Sequence, residues 1–174
     1  MGQADIVRLY EIYHEAIKLE KKLHWGFQFK VDAGNFETGI RIHNETGAVI
    51  PVDVEPNEDE DPNPKNWMLF VPDISDFNNR IIIEYEEETG NRRKGAFLAK
   101  KGHGHPGDLT NKHDSRRDFF YEAAAFRVCK IWESEFKLNT WKNKLYHFLA
   151  DCFCNRKTVI YSTASFPLHA QKDR

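Results

Sequence analysis

The sequence predicts a mixed α/β domain in which a central mixed sheet is flanked by helices. Three features predict it. A long stretch at the start has apolar residues at three- and four-residue spacing; short apolar runs separated by turns fill 27–86; and a helix–strand–helix pattern follows from about 113. At 174 residues one domain is the default. Residues 1–162 read as that domain, and 163–174 as a C-terminal tail.

Residues 3–24 form the first helix, with Ile6, Leu9, Tyr10, Tyr13, Ile17 and Leu23 on its apolar side and Glu11, Glu15, Lys18 and Lys22 largely on another. Trp25-Gly26 ends it. Phe27, Phe29 and Val31 alternate with polar residues, as strand residues do. Gly39–His43 and Ala48–Val52 flank Asn44–Gly47 as a hairpin. The Pro-rich acidic loop 53–64 cannot bury enough apolar surface to pack. Trp67–Val71 and Arg80–Glu86 are the next strands. The nearly continuous apolar run Ile81–Ile83 suits a central strand covered on both faces. The basic stretch 89–111 reads as a long functional loop. A helix over about 113–125 places Asp114 at its positive end. Arg127–Trp132 is a strand. Ser134 or Thr140 caps a last long helix carrying Phe136, Trp141, Leu145, Phe148 and Leu149. Lys157–Tyr161 reads as a short edge strand.

Apolar residues at 40%, charged residues at 30% and thirteen Phe describe a globular chain with a large aromatic core. A net charge of -2 argues against a binder that is basic throughout. No stretch approaches the roughly 18–20 apolar residues of a membrane span, and no secretory signal is visible. Three cysteines, two of them one residue apart, make a disulfide framework a poor fit, so a cytoplasmic setting is expected.

Strand alternation puts Glu84 and Glu86 on one face with Tyr85 on the other, and Pro72-Asp73 supplies a third acid from a neighbouring strand end. Oxygen ligands of this kind suit Mg2+ or Mn2+. Such an ion acidifies a water for in-line attack on a phosphodiester. His103, His105 and His113 cluster within eleven residues, and imidazole exchanges protons near neutral pH. Asp114 or Asp118 could hold such a histidine or touch the metal. Zinc on His103, His105, Cys152 and Cys154 is the weaker alternative, because Cys-x-Cys is not the usual structural spacing. Between Asn91 and Arg117 the chain carries Arg92, Arg93, Lys94, Lys100, Lys101, Lys112, Arg116 and Arg117 against Asp108 and Asp114 alone. A basic segment next to acids is what phosphate-backbone binding wants.

The run His113-Asp114-Ser115-Arg116-Arg117-Asp118 through Phe126–Glu133 resembles the closing helix–strand unit of the very-short-patch repair endonucleases and the EDxHD homing endonucleases. Both belong to the PD-(D/E)xK superfamily. The likeness spans roughly residues 6–150. It implies a restriction-endonuclease-like core and a Mg2+- or Mn2+-dependent DNA endonuclease of homing, restriction or repair type. By resemblance, Glu15 is the glutamate of the N-terminal helix, with Glu11 and Glu20 as rivals. Asp73 with Glu84 or Glu86 is the metal-binding set, and His105 or His113 with Asp114 assists. Glu86 stands where the family usually has Lys. Arg92, Arg93, Lys100, Lys101, Lys112, Arg116 and Arg117 would contact DNA, and a double-strand break would need a homodimer or partner. The competing readings are a nucleic-acid-binding module with a degenerate site and a protein-interaction domain using the loop 53–64. RNA as target stays open.

Overall fold

A computed structural model describes residues 3–88 and 106–165, with side chains placed through 3–88 and 115–155. The class is mixed α/β, as the sequence predicts. Helix α1 covers Gln3–Leu23 and buries Leu9, Ile12 and Ala16, one per turn. Glu20 folds back to accept the Gly26 and Phe27 backbone N–H groups at 2.8 and 3.0 Å, which closes the C-terminal end.

Seven strands follow: β1 (Lys30–Val31), β2 (Ile40–His43), β3 (Val49–Pro51), β4 (Trp67–Phe70), β5 (Ile74–Asp76), β6 (Ile81–Glu86) and β7 (Arg127–Trp132). The main sheet runs β1-β5-β6-β7 and a second runs β3-β2-β4. β5 meets β6 antiparallel. β7 meets β6 parallel, after the crossover helix α2 (Pro106–Ala123). Helices α3 (Glu133–Lys137) and α4 (Trp141–Ser165) follow.

β6 divides two cores. Ile81, Ile83 and Tyr85 join α1, α4, Cys129 and Ile131 on one face. Ile82 joins Phe120 and Tyr121 of α2, Ala124 just after it, and Ile40, Ile42 and Phe70 of the second sheet on the other. The predicted both-faces burial of β6 is therefore present, and it extends to Glu84 and Glu86. The β2–β3 turn presses against the end of α2: Gly47 has φ 72°, and a Cβ there would lie 2.7 Å from the Ala123 carbonyl oxygen.

The acidic loop is tied to this second sheet. His43 Nε2 lies 2.9 Å from Asp61 Oδ2, and Asn66 and the Trp67 indole N–H donate to Asp61 at 2.6 and 2.9 Å. Asp61 is held at about 2, first by His43 and then by the Asn63 N–H.

Several expectations are corrected. The crossover helix begins at Pro106, so 106–111 is not loop and Asp114 is more than two turns inside the helix. Proline at the first helical position needs no N–H partner, which permits that early start. Residues 157–161 lie within α4 instead of forming an edge strand. The closing helix is two helices, separated at Leu138–Thr140 with Asn139 at φ 55°. Phe27 and Phe29 are buried outside any strand, and the short strand β5 was not expected.

Candidate active site

Register explains how the acids meet. Ile74 of β5 faces Ile83 of β6, so Asp73, one residue outward, falls opposite Glu84. Such cross-strand neighbours have Cβ atoms about 5 Å apart. Ile74 and Ile83 point into the α1 core. Alternation therefore sends Asp73 and Glu84 to the opposite face, toward α2. The Asp73 Oδ2 accepts the Tyr85 N–H at 2.9 Å, which fixes the carboxylate against the sheet.

Two carboxylates brought together away from water resist ionising together. Burial is the main cause of the upward displacement of Glu84, well above the ordinary glutamate range, and Asp73 is the next. Asp73 is also raised, again chiefly by burial. Arg117 pulls both downward.

Helix α2 lies against this face in step with β6. Arg117 Nη2 donates to Glu86 Oε1 at 3.0 Å, and Tyr121 Oη donates to Glu84 Oε1 at 3.3 Å. Four residues of helix rise about 6 Å and two residues of strand about 6.6 Å, so one helical face meets consecutive same-face strand positions. Glu86 is 2% exposed and the Arg117 side chain 15%. Arg117 Nη2 also stands 3.5 Å from Asp118 Oδ1. Tyr121 is fully buried, and burial of its hydroxyl beside Glu84 keeps it protonated.

The parallel register adds Lys130, which pairs with Glu84 across β6 and β7 and makes an ion pair with Asp118. Asp73, Glu84 and Lys130 thus stand on three adjacent strands at one level. Sequence reasoning missed Lys130, because a parallel partner is set by the crossover and leaves no local signal. It also missed Tyr121 as a partner of Glu84. The helical spacing of Tyr121 from Arg117 was the available clue.

Among the expected residues, Asp73, Glu84 and Glu86 do converge on one face. Arg117 joins them, bound to a carboxylate. Arg116 does not: it is exposed, reaching Met68 Sδ at 3.8 Å and lying over the Phe120 ring. Glu15 is a correction. α1 packs on the other face of the sheet, and Glu15 lines a shallow cleft with His14, Trp141 and Lys142. The α1 acid that reaches the end of β6 is Asp5, which accepts from the Tyr85 hydroxyl at 3.2 Å. Glu15, ten residues on, is about 15 Å further along the helix. Glu20 is consumed in closing α1. Arg92, Arg93, Lys94, Lys100, Lys101, His103 and His105 lie outside the described residues, as do the side chains of Lys112, His113 and Asp114.

Among the described residues no three of His, Cys, Asp and Glu form a group able to hold a metal ion by themselves. The pair Asp73–Glu84 still fits a hard divalent cation. Mg2+ is commonly held by one or two carboxylates, with water and substrate oxygens completing its shell. Two facing carboxyls that burial raises above their ordinary range form a donor set such a cation would satisfy. Cys152 is buried in the α1 core and Cys154 is exposed, so the two thiols of the weaker zinc alternative sit in different environments. Among the described residues no helix is long and apolar enough to cross a membrane. No family model, no curated protein and no solved structure matches this chain.

Proposed function

We propose that this chain is a metal-dependent phosphodiester hydrolase acting on DNA, with a restriction-endonuclease-like core. The observation that carries the reading is the Asp73–Glu84 pair, two facing acids both raised chiefly by burial, with Glu84 raised further by Asp73, and with Arg117 and Lys130 beside them. A carboxyl displaced by burial together with a specific charged partner is a candidate functional group.

Asp73 and Glu84 would hold Mg2+ or Mn2+. When bound, the ion supplies acidification of an attacking water and stabilisation of the leaving oxygen. The chain's own groups do the rest. The Tyr85 N–H orients Asp73, and the Tyr121 hydroxyl orients Glu84. Lys130, steadied by Asp118, presents an ammonium at the level of Glu84. Arg117 brings a guanidinium suited to phosphate oxygens. In the sequence the basic stretch joins β6, which carries Glu84 and Glu86, to α2, which carries Arg117 and Tyr121. That connection supports a polyanionic partner. On sequence grounds His105 or His113 stays the candidate for proton transfer, and Asp114 the candidate for supporting the metal or that histidine.

Incubation of the purified protein with supercoiled plasmid and Mg2+ or Mn2+, against an EDTA control, tests the reading. The expected result is metal-dependent nicking that Asp73→Asn abolishes while the circular dichroism spectrum is kept. Salt-sensitive DNA binding with no turnover, indifferent to Asp73→Asn, would favour the degenerate-site module instead. Two-site cleavage, and with it a homodimer, would show as linear product rising with protein concentration.

A further inference from the structure

Among the described residues this face carries four carboxyl groups, those of Asp73, Glu84, Glu86 and Asp118, and two cationic side chains, Arg117 and Lys130. Arg117 is the hub. It bonds Glu86 at 3.0 Å, stands 3.5 Å from Asp118, and acts on both Asp73 and Glu84. Its side chain is mostly buried and lies over the Tyr121 ring, with 5.9 Å from the guanidinium carbon to the ring centre. A surface arginine that merely awaits phosphate would not be packed this way.

From this geometry we infer that Arg117 is the site's internal counter-ion: its guanidinium, held on Glu86 and Asp118, competes within one carboxylate cluster with a divalent cation on Asp73 and Glu84, and loading of the cation hands the guanidinium to a phosphodiester. The inference rests on the metal-site reading above and adds an order of events to it. A guanidinium and a divalent cation among the same acids repel each other strongly at low effective dielectric. The cation-free protein therefore keeps Arg117 on Glu86, and the cation weakens that hold. The released donors match phosphate geometry, so metal and phosphodiester bind with positive coupling.

Mn2+ titration of the full chain, followed by calorimetry, tests this with no reliance on turnover. Wild type, Arg117→Met, Arg117→Lys and Asp73→Asn are compared. Arg117→Met should bind Mn2+ about tenfold tighter than wild type or better, Arg117→Lys should stay close to wild type, and Asp73→Asn should lose the site. Equal or weaker binding by Arg117→Met, with the site still lost in Asp73→Asn, would overturn the counter-ion role and leave the metal site standing. No Mn2+ bound by wild type, or binding indifferent to Asp73→Asn, would overturn the metal reading and the inference with it. Because Arg117→Met removes the guanidinium beside buried Glu86, wild type gives a second measurement. The Arg117 Nε–H resonance, assigned by its absence in Arg117→Lys, should shift as Mg2+ is added. A resonance unmoved at saturating Mg2+ would sink the competition.

Discussion

Asp76 and Glu84 are both buried acids on neighbouring strands, 1% and 4% exposed, and they do opposite things. Asp76 accepts from the Gln28 N–H at 2.9 Å, the Asn79 N–H at 3.1 Å and the Asn79 side-chain amide at 2.7 Å. Its charge is met by fixed dipoles, and it ties the loop before β1 to the β5–β6 turn. Glu84 faces Asp73, receives one phenolic hydroxyl, and is pushed upward by burial. Burial alone therefore does not mark a functional acid. What the carboxylate faces does.

The comparison can be broken most severely at Asp76. Asp76→Ala strips three donors of their acceptor, at about 1–3 kcal/mol each for buried groups. Urea unfolding should show a loss of about 3 kcal/mol or more, with nuclease activity per folded molecule unchanged. At the other acid, Asp73→Asn should cost more than about a hundredfold in plasmid nicking while leaving the unfolding midpoint within about 1 kcal/mol. Glu84→Gln should stabilise the cation-free protein at neutral pH by about 1 kcal/mol, because like charges directly opposite on paired strands are unfavourable.

The pH dependence follows with its sign. Asp73 and Glu84 are raised in the folded state, so their contribution is fully present below the ordinary carboxyl range and is lost as pH rises through the raised values. The urea midpoint of wild type without metal should fall over that rise, and Glu84→Gln should flatten the fall. Asp61 runs the other way. Its contribution is present above the ordinary aspartate value and disappears as pH drops toward about 2. The smallest effect is expected at Tyr121→Phe. Loss of one hydrogen bond should cost about 1 kcal/mol by urea unfolding and loosen Mn2+ binding by less than about tenfold.

Much of this was legible before any coordinates. The order of α1, the β2–β3 hairpin, β4, β6 and β7 follows from apolar spacing, because those elements are long or flanked by clear turns. β5 has three residues, Ile74-Ser75-Asp76, too few to show a period. Thr158-Val159-Ile160-Tyr161 has strand-type composition but lies within a 25-residue helix, a case where context overrides propensity. At the site, the facing of Glu84 and Glu86 is a property of strand alternation and was readable. Their pairing with Arg117 and Tyr121 depends on how α2 lies on β6, which local sequence does not encode. Arg117 was expected to meet phosphate and is found on a carboxylate, that of Glu86.

The shared pitch of α2 and β6 makes this face intolerant of length changes. One residue added between Arg117 and Tyr121 would rotate one of them by about 100° around the helix axis. Either the guanidinium or the phenol would then face the solvent, and its glutamate would lose its donor. A point substitution trims one contact, whereas a single-codon insertion in that turn dismantles the alignment that holds both acids in place.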